Sequence, residues 1–262
     1  MDAASFIHPA EDWPDLPAGI GALATTRRGG VSLGPYGAVD GVNGAAGGLN
    51  LGLHVGDDAA AVQENRARLQ ALLPGRPAWI AQVHRNGVVD AARVVPGVTQ
   101  TGDASVAAAA GVVCAILTAD CLPVLFADLD GKVVGAAHAG WRGLAGGVLE
   151  NTVDAMRAAG AGEITAWLGP AIGPDAFEVG ADVLSAFETA LPGQAADAFR
   201  PYPDRPGKYL ADMNMLARGT LARVGVTRVH GGGRCTATEA DWFYSYRRDG
   251  VSGRQASLIW IK

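Results

Sequence analysis

Three apolar runs in the middle of the chain, residues 112–117, 122–127 and 133–137, are separated by short polar pieces. Each is bounded by turn formers and rich in aliphatic residues, which predicts buried strands. Between the last two, Asp130-Gly131 signals a tight hairpin. A turn there makes paired positions sum to about 261, so Pro123 faces His138, and Cys121 lies on the same face one diagonal step away. Elsewhere the apolar period is helical. Val62, Leu69, Leu72 and Leu73 predict an amphipathic helix capped by Asp57-Asp58 and ended by Pro74-Gly75. Leu144, Val148, Leu149, Val153 and Met156 predict one helix that stops near Gly160, and further helices are expected over 181–190 and 212–223. Residues 242–261 read as one or two strands around Asp249-Gly250. The Gly- and Ala-rich stretch 29–48, with Gly34-Pro35, reads as a surface loop between strands. No repeat or composition break divides residues 1–262, so a single domain is expected.

With 262 residues, 49% of them hydrophobic and 18% charged, the chain is long enough to bury a large core. A net charge of -5 without a basic stripe argues against nucleic acid or an anionic membrane as partner and for a small molecule. The first residues carry no basic segment followed by an apolar run, and no stretch approaches a membrane span. Three irregularly spaced cysteines favour free thiols over a disulfide framework, as expected in a reducing cytoplasm. Oligomeric state is not legible.

An arbitrary cysteine and histidine on one sheet face are more often core residues than ligands. Here Asp120 directly precedes Cys121, and His138 runs into Ala139-Gly140-Trp141-Arg142. Both residues therefore sit where apolar strands break into polar turns, the usual place for functional groups. Gln82-Val83-His84 is a third polar piece following the apolar pair Trp79-Ile80. A thiolate and two imidazoles from His84, Cys121 and His138 suit zinc with a fourth position left open; copper accepts the same donors. Without a metal, Cys121 with His138 as base would be a nucleophilic dyad. Arg142, at a strand-to-helix junction, is a candidate for holding a phosphate or carboxylate. Cys114, among Val112, Val113 and Ile116, reads as an inert core thiol; Cys235 has no assigned role, and His8 and His230 are given no chemistry. Arg247 and Arg248 read as stacking and surface-pairing residues.

Several blocks occur in order along the chain: Thr25-Thr26-Arg27-Arg28-Gly29-Gly30-Val31-Ser32, Asn50-Leu51-Gly52-Leu53-His54-Val55-Gly56-Asp57, Gln82-Val83-His84 and Thr118-Ala119-Asp120-Cys121-Leu122-Pro123-Val124. They continue through His138-Ala139-Gly140-Trp141-Arg142-Gly143, Leu168-Gly169-Pro170-Ala171-Ile172-Gly173, Phe177-Glu178-Val179-Gly180 and Phe243-Tyr244-Ser245-Tyr246-Arg247-Arg248-Asp249-Gly250. The ordered set resembles the YfiH, or laccase-domain, family over nearly the whole chain; the loop 36–49 looks longer and richer in glycine than is usual there. The resemblance implies a single α+β domain of mixed β-sheets packed with helices, and a zinc held by His84, Cys121 and His138. It also implies phosphorolysis of adenosine, inosine and methylthioadenosine, with adenosine deamination. Copper-dependent polyphenol oxidation and amide hydrolysis in peptidoglycan precursor editing are described for the same family.

For deamination a metal would supply hydroxide near neutral pH, and a proton carrier is still needed. His54 is the candidate, with Asp120 as the alternative. For phosphorolysis, phosphate must be held by cations and backbone donors. Arg142 is the first candidate, Arg27 and Arg28 follow, and Asn50 could bond base or ribose.

Overall fold

The computed structural model describes residues 5–38 and 47–262. At its centre is the expected hairpin: β7 (Leu122–Asp128) pairs antiparallel with β8 (Val134–Ala139), Pro123 opposite His138 and Leu122 opposite Ala139. The turn closes with Gly131 N donating to Asp128 O at 2.8 Å, and Gly131 takes φ +73°, which glycine adopts without a Cβ clash.

Around this hairpin a six-stranded sheet runs in the order β13 (Arg228–Gly231), β9 (Ile164–Leu168), β7, β8, β5 (Ala104–Ala107), β4 (Val88–Asp90). The pairs β4/β5 and β9/β13 are parallel and the remaining pairs antiparallel. A second, five-stranded sheet runs β1 (Phe6–Ile7), β2 (Ile20–Thr25), β14 (Gln255–Ile261), β6 (Val113–Thr118), β3 (Pro77–Ala78). A small third sheet joins β10 (Glu178–Gly180), β12 (Lys208–Ala211) and β11 (Phe199–Pro201).

The alternation of side chains along β7 shows how the layers stack. Leu125 and Ala127 face the second sheet, packing with Cys114, Ile116 and Ile259. Leu122, Val124 and Phe126 face the opposite way into a cluster with α3 (Val148–Ala158), α4 (Ala181–Ala190) and α5 (Met213–Arg223). The outer face of the second sheet, with Val113, Ala115 and Leu117, is covered by Leu69 of α1 (Ala59–Gln70) and by Leu49 and Leu51. Every residue of β6 and β7 is buried, since both faces are covered. That is why these strands read as unbroken apolar runs, and full burial of each Leu or Phe stabilises by about 1.5–3 kcal/mol. The architecture is the expected α+β domain of mixed sheets packed with helices.

Two expected elements differ. The single helix through Leu144 to Met156 is two, α2 (Trp141–Ala145) and α3, broken at Gly146-Gly147 where Gly147 takes φ +89°. The tail holds one strand, β14, preceded by a short helix, α6 (Tyr246–Asp249), because the Ser245 hydroxyl caps Arg248 N. α1 is capped by Asp58 through Ala60 N as expected, but ends at Gln70, leaving Leu72 exposed in the following turn. Within the segment 29–48, Gly30 bridges Gly47 and Ser32 bridges Gly48, with a 3-10 turn at Gly34–Tyr36; residues 39–46 lie outside the described residues. No helix among the described residues is long and apolar enough to cross a membrane.

Candidate metal centre and its cleft

Two crossovers carry the chain from the second sheet to the first at the same end of the sandwich. One, from β3 to β4, contains Gln82, Val83 and His84; the other, from β6 to β7, contains Ala119, Asp120 and Cys121. Gln82 ties them together, its amide donating to Leu117 O at 2.7 Å and accepting from Leu117 N at 2.8 Å. Asp103, at the start of β5 and fully buried, organises the first crossover: one oxygen accepts from His84 N and the other from Val83 N and Arg85 N. The three converging donors fold the triplet back on itself, and His84 takes a left-handed φ of +59°. The same carboxylate accepts from His138 Nδ1 at 2.8 Å, while Asp103 O accepts from His138 N. His138 therefore presents Nε2 to the site, oriented by a buried carboxylate as in carboxylate–histidine–metal arrangements.

The result brings His84, Cys121 and His138 together with their donor atoms all within 4.8 Å of one another. Cys121 Sγ is 3.8 Å from His84 Nε2, and the two imidazoles meet edge to face with centroids 4.7 Å apart. Donors held at about 2.0–2.3 Å around a tetrahedral ion lie roughly 3.3–3.8 Å from each other, so the three fit a metal with small side-chain adjustment. Gly140 is required by the same closeness: a Cβ there would lie 2.9 Å from His84 Cδ2 and 3.1 Å from Cys121 Sγ. His138 is buried, Cys121 half-buried and His84 exposed, so the group is open on one side.

Burial pushes the Cys121 thiol up, but hydrogen bonding and charge from His138, then His84, outweigh it and bring the pKa to about 6. Burial pulls His138 down, while bonds to Asp103 and Cys121 outweigh that and raise it to about 9. Both shifts favour the thiolate–imidazolium form of the pair in the absence of a metal, and a bound cation would displace the proton. Burial raises the Asp103 carboxyl, but His138 and the backbone donors prevail and hold it below its ordinary value. Cys114, by contrast, is fully buried and pushed up to about 12, an inert thiol.

The open side of the triad faces a cleft of about 720 Å³, whose other walls carry His54, Arg66, Trp79, Thr118, Tyr246 and Arg254. His54, the expected proton carrier, lines this cleft, and burial, then Arg254 and Arg66, lower its pKa. The remaining residues singled out from the sequence occupy other places. Asn50 is fully buried and organises its own loop, accepting from Gly52 N and Arg254 N and donating to Asp57. Asp120, at φ +88°, fixes the C-terminal segment: its carboxylate accepts from the Thr236 hydroxyl and from Arg247 N, both at 2.6 Å. Arg27 is buried on Tyr244 and donates to Gly37 O and Ala240 O; Arg28 stacks on Trp242 and donates to Asp241 O. Arg142 lies over Trp141. None of these three arginines lines the cleft. Cys235 accepts from Gly173 N at 3.1 Å, away from the triad.

Sequence reading missed Asp103, Arg66 and Arg254. Arg66 belongs to an Asn65-Arg66 pair inside α1, where one basic residue among several gives no signal. Arg254 gives no local signal either: it immediately precedes β14, and only the folded sheet shows that Gln255 pairs with Thr118, three residues before Cys121. That long-range pairing beside Cys121 is what brings it to the site.

Residues 21–262 match the family described as multi-copper polyphenol oxidoreductase laccase. The chain is 51% identical over 251 residues to a purine nucleoside phosphorylase of Pseudomonas aeruginosa, covering 96% of this chain and 97% of that one. It is 50% identical over 251 residues to the purine nucleoside phosphorylase YfiH of Escherichia coli, covering 95% and 96%. Among solved structures it resembles a Neisseria meningitidis protein (TM-score 0.88, 49% identity, 98% and 99% covered) and YlmD of Geobacillus stearothermophilus (TM-score 0.84, 32% identity, 100% and 98% covered). With one fold, near-complete coverage and half of its residues shared with such relatives, the chain belongs to the YfiH, or laccase-domain, family.

Proposed function

We propose that the protein is a metal-dependent purine nucleoside phosphorylase acting on adenosine, inosine and methylthioadenosine, that it also deaminates adenosine, and that its ion is zinc. The observation that carries this reading is the convergence of the His84, Cys121 and His138 donors within 4.8 Å at the wall of a cleft of nucleoside size. Half-identity to proteins named purine nucleoside phosphorylase supports the choice of substrate. One thiolate and two imidazoles suit zinc, and with His84 exposed a fourth position would face the cleft. When bound, such an ion supplies Lewis acidity toward substrate or water.

The chain's own residues supply the remaining work. Asp103 fixes His138 in the tautomer that leaves Nε2 free. His54, on the cleft wall with a pKa lowered by burial and then by Arg254 and Arg66, is the residue that accepts or returns a proton at a ring nitrogen. Trp79, Ile80 and Leu117 give the cleft an apolar wall for a purine face. Asn50 acts indirectly, by holding the loop of His54 and the backbone of Arg254. The free thiols and the soluble composition support a cytoplasmic setting.

Metal-replete protein given inosine or adenosine with phosphate is expected to release free base and ribose 1-phosphate, and Cys121→Ala to lose at least about 100-fold in rate. No product from the replete protein, or a Cys121→Ala variant as active as the parent, would overturn the reading. The acidified Cys121 beside a buried imidazolium favours a second one, an amide hydrolase of muropeptide-like precursors. It predicts inhibition by alkylation and indifference to chelators. The copper oxidation in the family's description predicts oxygen uptake with a phenol that rises with copper loading.

A further inference from the structure

Two arginines in the cleft have unused donors and no anionic partner among the described residues. Arg66 projects from α1 and Arg254 from the residue before β14, and segment 50–53 runs between them. Arg66 Nε donates to Leu51 O at 2.9 Å, Arg254 N donates to Asn50 Oδ1 at 2.9 Å, and the Arg254 stem lies so close to Gly52 that a Cβ there would come within 2.8 Å of Cγ. Arg254 Nη1 donates to Ser252 O and Gly253 O; its Nη2 and both Nη atoms of Arg66 meet no acceptor among the described residues. Each guanidinium lies over an aromatic ring, Arg66 over Trp79 at 4.4 Å and Arg254 over Tyr246 at 6.0 Å, which limits the directions its fork can take. Burial lowers the pKa of both, Arg66 to about 10. Removing a guanidinium from water without giving it a carboxylate is unfavourable, and a protein that keeps two such groups facing one cavity holds them ready for an anion. Their electrostatic reach supports a common volume: both act on His54, and Arg254 also acts on Cys121.

From this arrangement we propose that Arg66 and Arg254 form the seat of inorganic phosphate, beside the His84, Cys121 and His138 triad. The bidentate geometry of guanidinium suits a tetrahedral oxyanion, and two forks would orient it as a nucleophile. The part of this inference that makes the anion a co-substrate rests on the proposed phosphorolysis; the seat itself does not. In that reaction a phosphate oxygen forms a bond to the sugar C1′ as the bond from C1′ to the purine nitrogen breaks. The electron pair leaves with the base, which takes up a proton, and the products are free base and sugar 1-phosphate.

The test is titration of metal-replete protein with inorganic phosphate, without nucleoside, followed by calorimetry, together with the Michaelis constant for phosphate in turnover. Arg66→Gln and Arg254→Gln are each expected to weaken phosphate by about tenfold or more, with a much smaller change in the constant for inosine, whereas Arg68→Gln, on the same helix but paired to Glu64, is expected to bind like the parent. Arg66→Lys and Arg254→Lys keep the charge without the fork and are expected to fall between, and thermal unfolding of each variant checks that the fold is intact. Cys121→Ala, stripped of metal, is expected to retain phosphate binding. Unchanged phosphate affinity in both Gln variants overturns the seat, as does its loss in Cys121→Ala, which would put the anion on the metal. Binding of adenosine 5′-monophosphate but not of inorganic phosphate overturns it equally. If phosphate binds through both arginines but no nucleoside is cleaved, the seat stands and the proposed function falls; if nucleoside is cleaved with an unaltered phosphate constant in the variants, the reverse holds.

Discussion

At the residue scale, Asp103 has more hydrogen-bond partners at the triad than any of the three triad side chains. A single buried carboxylate accepts three backbone N–H groups of the His84 turn and the Nδ1–H of His138, so it sets two of the three triad positions at once. Asparagine would keep the shape but replace one acceptor with a donor, leaving a backbone N–H or His138 unpaired. Asp103→Asn is expected to weaken metal binding about 10- to 100-fold, read by competition with a chromophoric chelator; equal affinity would show that the ligands hold themselves. The cysteines allow a pH test on metal-free protein. Because the folded Cys121 pKa lies near 6, below the free-thiol value, its thiolate predominates above pH 6 and is lost as pH falls through it. Alkylation of Cys121, mapped by mass, is expected to fall to half near pH 6, while Cys114 stays unmodified throughout. Neither Asp103 nor the cleft arginines were legible beforehand. Asp103 lies 19 residues from His84 and 35 from His138, so no local spacing joins them and only the completed sheet does.

At the scale of elements, legibility followed the range of the interactions. The β7–β8 hairpin was read to the residue because two turn residues and an alternating pleat fix its register locally, and with it the approach of Cys121 to His138. His84 carries no such register, and its position depends on Gln82 reaching β6 and on Asp103 in β5. The misread helix shows the converse. The apolar period of Leu144, Val148, Leu149, Val153 and Met156 is intact on both sides of the break, because α2 and α3 bury those side chains in one cluster. What divides them is backbone conformation at Gly147, which a hydrophobic pattern does not record. With φ at +89° and no close neighbour besides Glu150, Gly147→Ala is strained by its backbone and not by space. It is expected to lower unfolding free energy by about 1–2 kcal/mol in denaturant titrations while leaving metal affinity unchanged. A neutral effect would mean that α2 and α3 can merge.

At the scale of the molecule, the triad lies at the seam of the two sheets. β6 and β3 belong to the five-stranded sheet, β7, β8 and β4 to the six-stranded one, and the triad residues come from the two crossovers between them and from the end of β8. A bound ion would therefore tie the two sheets together as well as serve the cleft, and its binding energy would add to the stability of the whole fold. Since these donors come together only when both sheets are formed, the unfolded chain offers a far weaker site, and stabilisation follows from mass action. Zinc at about 100 times its dissociation constant would contribute about 2.7 kcal/mol, which for a chain of this length corresponds to a rise in Tm of roughly 5–10 °C. Cys121→Ser and His138→Ala are expected to lose that response while folding without metal, whereas Cys114→Ser, which removes a thiol from the core and not from the seam, is expected to keep the response from a lower starting Tm. The measurement is a thermal unfolding series against free zinc for the four proteins. A parent Tm that does not move with zinc would remove the seam from the account of stability, and a shift that survives in Cys121→Ser would move the ion to other donors.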